Sequence, residues 1–259
     1  MSRHPAYRGP LIDVHGHWGS WFFPMDVGDV AENLRLMDVY GIDLQILSAS
    51  EAVVFDAEQG NAALARMLER TSRLRGYVVA NPNDPVTTRK DLDRYLVRPE
   101  WVGVKIHTTY PGEPIASPAM SDTFDLLAEY GAPVLIHTWG PDVLALAELV
   151  SARPGLRAIA AHAGADRWDL AAEAAQGCDR LYLEASCSLT QVARIVELAS
   201  RVDHRQLLFG TDATLIDPAV AFGLYAQARF SPESEELVYR RNAQALFGLQ
   251  DDELIARAR

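Results

Sequence analysis

Cysteine is scarce in this chain: the 259 residues hold two, Cys178 and Cys187, and neither sits in a C-x-x-C pair. That excludes a disulfide framework and argues against a closed, cysteine-rich structural zinc site. Positive charge is also in short supply. Twenty-four Lys and Arg face 35 Asp and Glu, a formal net charge of −11, and no basic cluster interrupts it. A nucleic-acid partner is therefore disfavoured, because phosphate binding needs a basic footprint. No apolar run reaches the roughly 18 residues of a membrane-spanning helix. Met1-Ser2-Arg3-His4-Pro5 lacks the apolar core of a secretory signal. The expectation is a cytoplasmic protein that acts on a small molecule, with neither membrane nor nucleic acid as partner. Linkers, low-complexity tracts and charge blocks are missing too, so a single domain over 1–259 is expected.

What the chain does have is alternation of short apolar strands with helical patterns. Strands are read at 11–14, 42–47, 76–80, 101–107, 133–137, 156–161, 181–185 and 206–209. Between them, Val30, Leu34 and Met37 recur at helical spacing before a C-cap at Gly41. Asp56 with Gln59 forms a capping box for a helix through residue 70, and a polar helix runs on to residue 96. Ser117-Pro118 opens a helix that stops at Gly131, and Gly140-Pro141 opens another. Ser188 with Gln191 is a further capping box, ahead of a stripe of Val192, Ile195, Val196 and Ala199. A last helix is expected from Ser231-Pro232 to Gly248. Eight strands, each followed by a helix, call for a parallel sheet, and eight such units in about 250 residues match a closed (β/α)8, TIM-like barrel. A doubly wound open sheet is the alternative, but no Gly-rich phosphate loop follows the first strand.

The polar residues are placed informatively. His15 and His17 end the first strand, Lys105 and His107 the fourth, His137 the fifth, His162 the sixth and Asp212 the eighth. The chain holds seven histidines, so five of them lie where a barrel's strand ends converge on its active-site face. His15 and His17 are two residues apart and share one face of a strand, a preformed pair for one ion. Imidazoles and a carboxylate with an open coordination position suit a catalytic divalent metal, most simply Zn²⁺, with Mn²⁺ as an alternative. Such an ion activates water and polarises a carbonyl; Asp212 would be both ligand and proton acceptor, and His162 a second-metal ligand or general acid/base.

These stretches also carry a resemblance. Asp13-Val14-His15-Gly16-His17, Gly103-Val104-Lys105-Ile106-His107, Ile136-His137, Ala161-His162-Ala163-Gly164 and Gly210-Thr211-Asp212 occur in the order seen in the amidohydrolase superfamily. They are most similar to its amidohydrolase 2 branch of aminocarboxymuconate-semialdehyde decarboxylase-like enzymes and related hydrolases. Arg241-Asn242-Ala243-Gln244-Ala245-Leu246-Phe247-Gly248 resembles that branch's closing helix. The resemblance implies that His15, His17, His137 and Asp212 bind metal and that His162 is catalytic or holds a second ion. It leaves Lys105 between two roles, a carboxylated bridge between two metals or an ammonium that binds substrate or pairs with an acid. It also implies a homodimer or higher oligomer.

Around this set, His107 is expected to contact substrate or support the site from its rim, and Trp139 to line the pocket. Asp13 is read as orienting the histidines. Trp18, Trp21, Phe22 and Phe23 form either a wall over the mouth or packing for their own loop. Glu184 and Ser186 share a face at the end of the seventh strand, Arg167 starts a solvated helix, and His4 and His204 are read as surface residues. The favoured function is a metal-dependent hydrolase of an amide, lactone or related ester-like bond, because no segment for a larger substrate cap is evident. The alternative is a nonoxidative decarboxylase of a small aromatic or dienoic acid. A catalytically silent barrel is disfavoured by ligand-type residues at every expected strand end.

Overall fold

The apolar stretches form eight strands that pair in parallel and in sequence order. In the computed structural model, which describes residues 7–25, 29–187 and 193–255, they are β1 (Ile12–Trp18), β2 (Leu44–Ala49), β3 (Leu74–Val79), β4 (Trp101–Ile106), β5 (Val134–His137), β6 (Ala158–Ala161), β7 (Leu181–Glu184) and β8 (Leu207–Leu208). The chain beyond β8 returns to β1. Val14 N–H donates to Phe209 O at 3.0 Å, Asp212 N–H donates to His15 O at 2.7 Å, and Gly16 bridges Ala213. With helices between the strands, this is the expected (β/α)8 barrel. His4, the Ser188 and Gln191 capping pattern and Val192 lie outside the described residues.

The intervening helices are α1 (Val30–Tyr40), α2 (Ser50–Val54), α3 (Ala57–Leu68), α4 (Pro85–Tyr95), α5 (Pro118–Tyr130), α6 (Asp142–Ser151), α7 (Trp168–Gly177), α8 (Arg194–Arg201) and α9 (Ala219–Gln227). Their ends follow local chemistry. Asp56 accepts from Gln59 N–H and Ser117 from Met120 N–H, while Gly41 and Gly131 close α1 and α5 in the left-handed region. α2 has no counterpart in the periodicity, because at five residues it is too short to show a helical repeat. The expected final helix is interrupted. It comprises α10 (Pro232–Glu236), a π turn (Leu237–Arg241) and α11 (Asn242–Phe247), and α12 (Asp251–Ile255) follows. Within the π turn, Val238 O accepts from Phe209 N–H at 3.2 Å, so this turn anchors the chain as it leaves β8. His204 is half-buried rather than a surface residue; its ring contacts Ser234 Oγ at 2.7 Å and Ala199 O at 2.9 Å.

Two apolar layers result. One lies between strands and helices. The other fills the barrel with Ile12, Val14, Leu44, Ile46, Leu135, Ile159 and Leu208, and Leu246, Leu249 and Leu254 join it from the C-terminal segment. That cluster closes the end opposite the histidines, which leaves the C-terminal strand ends as the open face. Among the described residues, no helix is long and apolar enough to cross a membrane.

Candidate metal centre

β1 aims its histidines by means of a bulge. Asp13 pairs with Gln45 and Gly16 with Leu47, so three steps on β1 match two on β2. Before the extra residue, Ile12 and Val14 face the barrel interior, and Asp13 faces Gln45, which bonds Asn33 of α1. After it, His15 and His17 turn into the open end. Asp13 stabilises this kink as a saturated acceptor: it takes His15 N–H and Thr211 N–H at 3.0 Å each, Gln45 Nε2–H at 2.7 Å and Thr211 Oγ–H at 2.6 Å. Burial pushes its carboxyl up to about 7, against the pull of those hydrogen bonds. Asp13 thus orients the histidine pair from outside the barrel while joining β1 to the loop that carries Asp212.

The two imidazoles and Asp212 meet closely. His15 Nδ1–H donates to Glu184 Oε2 at 2.7 Å, and Ser186 Oγ–H donates to the same oxygen at 3.0 Å. His15 Nε2 accepts from Lys105 Nζ at 3.0 Å. Asp212 Oδ1 lies 3.4 Å from His15 Nε2 and 3.1 Å from His17 Nε2, and His17 Nδ1 is 3.1 Å from Ser48 Oγ. Burial lowers both histidine pKa values, aided at His15 by the Lys105 charge, so the rings are neutral. Burial alone would raise the Asp212 carboxyl, but the His15 and His17 imidazoles outweigh it and hold the group well below the usual range. With its Nδ1–H given to Glu184, His15 Nε2 is left as a lone pair that faces both Lys105 Nζ and Asp212 Oδ1. A cation taking the place of the Lys105 ammonium there would be held by that nitrogen and the carboxylate together. Two neutral imidazole nitrogens and a carboxylate oxygen within 4.8 Å of one another form a donor set that fits a divalent ion.

The remaining polar residues surround this set. Lys105 is fully buried, and burial lowers its ammonium to about 8 against the attraction of Asp212 and Glu184. His162 packs its ring 5.1 Å from that of His15, with Nδ1 3.0 Å from the Ser186 carbonyl; burial lowers its pKa to about 4. His15, His162 and Glu184 form a second close donor group, and His162, Cys187 and Asp212 a third. Among the described residues, none of the close groups includes His137. Its ring stacks on His107 at 4.1 Å and meets His162 edge-on at 4.8 Å. Trp139 stacks on His137 at 5.9 Å and is 51 % exposed, a rim residue rather than a wall of the cavity. Trp21 packs edge-on against His17 at 5.0 Å, while Phe22 stays exposed.

The cavity over these residues measures about 310 Å³ and is lined by His15, His17, His107, His137, His162, Lys105, Cys187 and Asp212 among others. Cys187 is the contributor that sequence reasoning left aside. Glu184 was read only as sharing a face with Ser186 at the end of the seventh strand, and its carboxylate holds the His15 ring. Cys187 reaches the cavity through a left-handed turn (φ 56°) past β7 that no periodicity announces. His162 (φ 67°) and Asp212 (φ 62°) adopt the same uncommon backbone, a conformation that clusters at functional sites.

Comparison with known proteins agrees with the fold. A structure of 5-carboxyvanillate decarboxylase from Sphingomonas paucimobilis superposes with a TM-score of 0.76 at 15 % identity, covering 93 % of this chain and 99 % of its own. A dihydroxybenzoic acid decarboxylase from Polaromonas sp., solved with manganese and the inhibitor 2-nitroresorcinol, gives 0.76 at 17 % identity over 95 % and 99 %. A probable 2-pyrone-4,6-dicarboxylic acid hydrolase from Acinetobacter baumannii gives 0.67 at 16 % identity over 93 % and 100 %. No curated protein matches. The sequence profile of the amidohydrolase family matches residues 12–249, and the chain belongs to that family.

Proposed function

We propose that this protein is a metal-dependent nonoxidative decarboxylase of a small, flat carboxylic acid, aromatic or dienoic. The observation that carries the reading is the shape of the site. A cavity of about 310 Å³, the size of a single-ring ligand, is lined by the stacked rings of His107 and His137 (17° apart) and by His15, His17, Asp212 and Lys105. The decarboxylase structures above support it. It replaces the hydrolase as the favoured reading, since lack of a large cap is no obstacle to a small planar acid.

His15, His17 and Asp212 would hold the ion, with His137 as a further ligand; Zn²⁺ and Mn²⁺ both suit the donors. A bound divalent ion supplies Lewis acidity towards substrate oxygens. Lys105, protonated at neutral pH, pairs with the substrate carboxylate or an adjacent oxygen. As the C–C bond breaks, its electron pair stays on the carbon that keeps the rest of the substrate. His162 delivers the proton to that carbon and is recharged from solvent. Burial keeps the ring neutral at neutral pH, so the proton it delivers is taken up from solvent within each turnover. Asp212 stays ionised and balances the charge on His162. His107 holds the substrate plane, with the ring of Trp139 stacked on His137 at the rim.

The test is Mn²⁺-loaded protein offered a panel of hydroxybenzoates and dienoic acids, with CO₂ release measured. Turnover that disappears in His162→Gln while the ion is retained is expected. If no acid releases CO₂ while a lactone or amide is hydrolysed, the reading fails in favour of hydrolysis. The hydrolase structure above supports that second reading, in which Asp212 takes a proton from the attacking water.

A further inference from the structure

We propose that His162, Cys187 and Asp212 form a second, thiolate-bearing site for a soft divalent cation of the Zn²⁺ or Cd²⁺ class, beside the first centre and sharing Asp212 with it. The three residues come from the turns after β6, β7 and β8, and their ligand atoms lie within 4.8 Å of one another. Cys187 Sγ is 3.3 Å from the His162 ring. All three line the same cavity, so an ion entering the open face reaches them without any rearrangement of the barrel. All three also hold positive φ, at 67°, 56° and 62°, and their ligand atoms converge.

The ligand types choose the ion. The first centre offers imidazole and carboxylate, which Mn²⁺ and Zn²⁺ both accept; a thiolate selects the softer ion. On binding, the thiol releases its proton to solvent as the sulfur–metal bond forms, and no electron is transferred. An ion held there also occupies His162. A second equivalent of soft metal therefore switches off whatever proton transfer His162 performs, while the first ion stays in place. The site does not depend on which reaction the first centre catalyses.

Protein loaded with one equivalent of Mn²⁺ is titrated with Cd²⁺ while thiolate-to-metal charge transfer is followed in the ultraviolet. The expected result is a band that saturates at one further equivalent, vanishes in Cys187→Ser and persists in Cys178→Ser. These are the chain's two cysteines, so the band has no other source. Mass spectrometry of iodoacetamide labelling gives a readout that needs no variant: Cd²⁺ should slow modification of Cys187 by about an order of magnitude. A wild-type protein without the band, an equal band in Cys187→Ser, or labelling indifferent to Cd²⁺ overturns the proposal. Retained Mn²⁺, read from its paramagnetic signal in the same samples, separates failure of this site from failure of the first.

Discussion

Replacing Glu184 by Gln preserves shape but removes the negative charge that accepts from His15 Nδ1–H at 2.7 Å. The expected outcome is a loss of about 10–100-fold in metal affinity with the fold intact, measured by competition against a fluorescent chelator. Unchanged affinity would show that Glu184 does not set the His15 ring. Lys105 makes a prediction about pH. Its pKa falls from 10.5 to about 8 on burial, so between those values the unfolded chain binds more protons than the folded one. Stability of the metal-free protein from this group therefore rises with pH across that window, and the penalty is fully present below it. Urea unfolding in chelator from pH 8 to 10 should show a shallower rise in Lys105→Met than in wild type. Equal slopes would mean that Lys105 does not titrate within the barrel.

At the scale of elements, β7 and β8 approach so closely that a Cβ on Gly210 would sit 2.6 Å from Glu184 Cδ. Gly210→Ala must therefore push Glu184 away from His15. Metal affinity should fall as in Glu184→Gln, together with about 1–3 kcal/mol of stability, checked by the same titration and by urea unfolding. An alanine variant with wild-type affinity would show that the strands can part without moving the carboxylate. Element positions were well marked in the sequence where caps and strand runs coincide, as at Asp56, Ser117 and Gly131. The β1 bulge was not. Strict alternation puts Asp13 on the histidine face, whereas the extra residue sends Asp13 outward and the histidines inward. Strand periodicity cannot register an insertion of one, because both sides of the bulge read as the same apolar run. The π turn was not legible either: nothing in Leu237 to Arg241 marks it, and its Val238 carbonyl accepts from Phe209, remote in sequence.

For the whole molecule, the sequence order of His15, His17, Lys105, His137, His162 and Asp212 was enough to foresee a barrel with one polar face, since strand ends are readable one at a time. Which of them approach within ligand distance was not, because that depends on tilt and on the turns at His162, Cys187 and Asp212. The ion should also act on global stability. At 100 times its dissociation constant, Mn²⁺ is expected to add about 2.7 kcal/mol, roughly 5–10 °C in melting temperature for a chain of this size. A melt in EDTA against one in excess Mn²⁺ checks this; coincident curves would mean that no ion binds the folded state preferentially.

Seven of the eight junctions around the barrel are ladders, but the last strand meets the first through a single bridge and a few hydrogen bonds. His15 and His17 stand on one side of that gap and Asp212 on the other. An ion between them is then a clasp across the ring's weakest seam, and the amides of Val14, His17 and Asp212 are the ones whose hydrogen exchange should slow most when it closes. In a metal-starved cell the join would rest on those hydrogen bonds alone, and its amides would exchange faster than in the loaded protein.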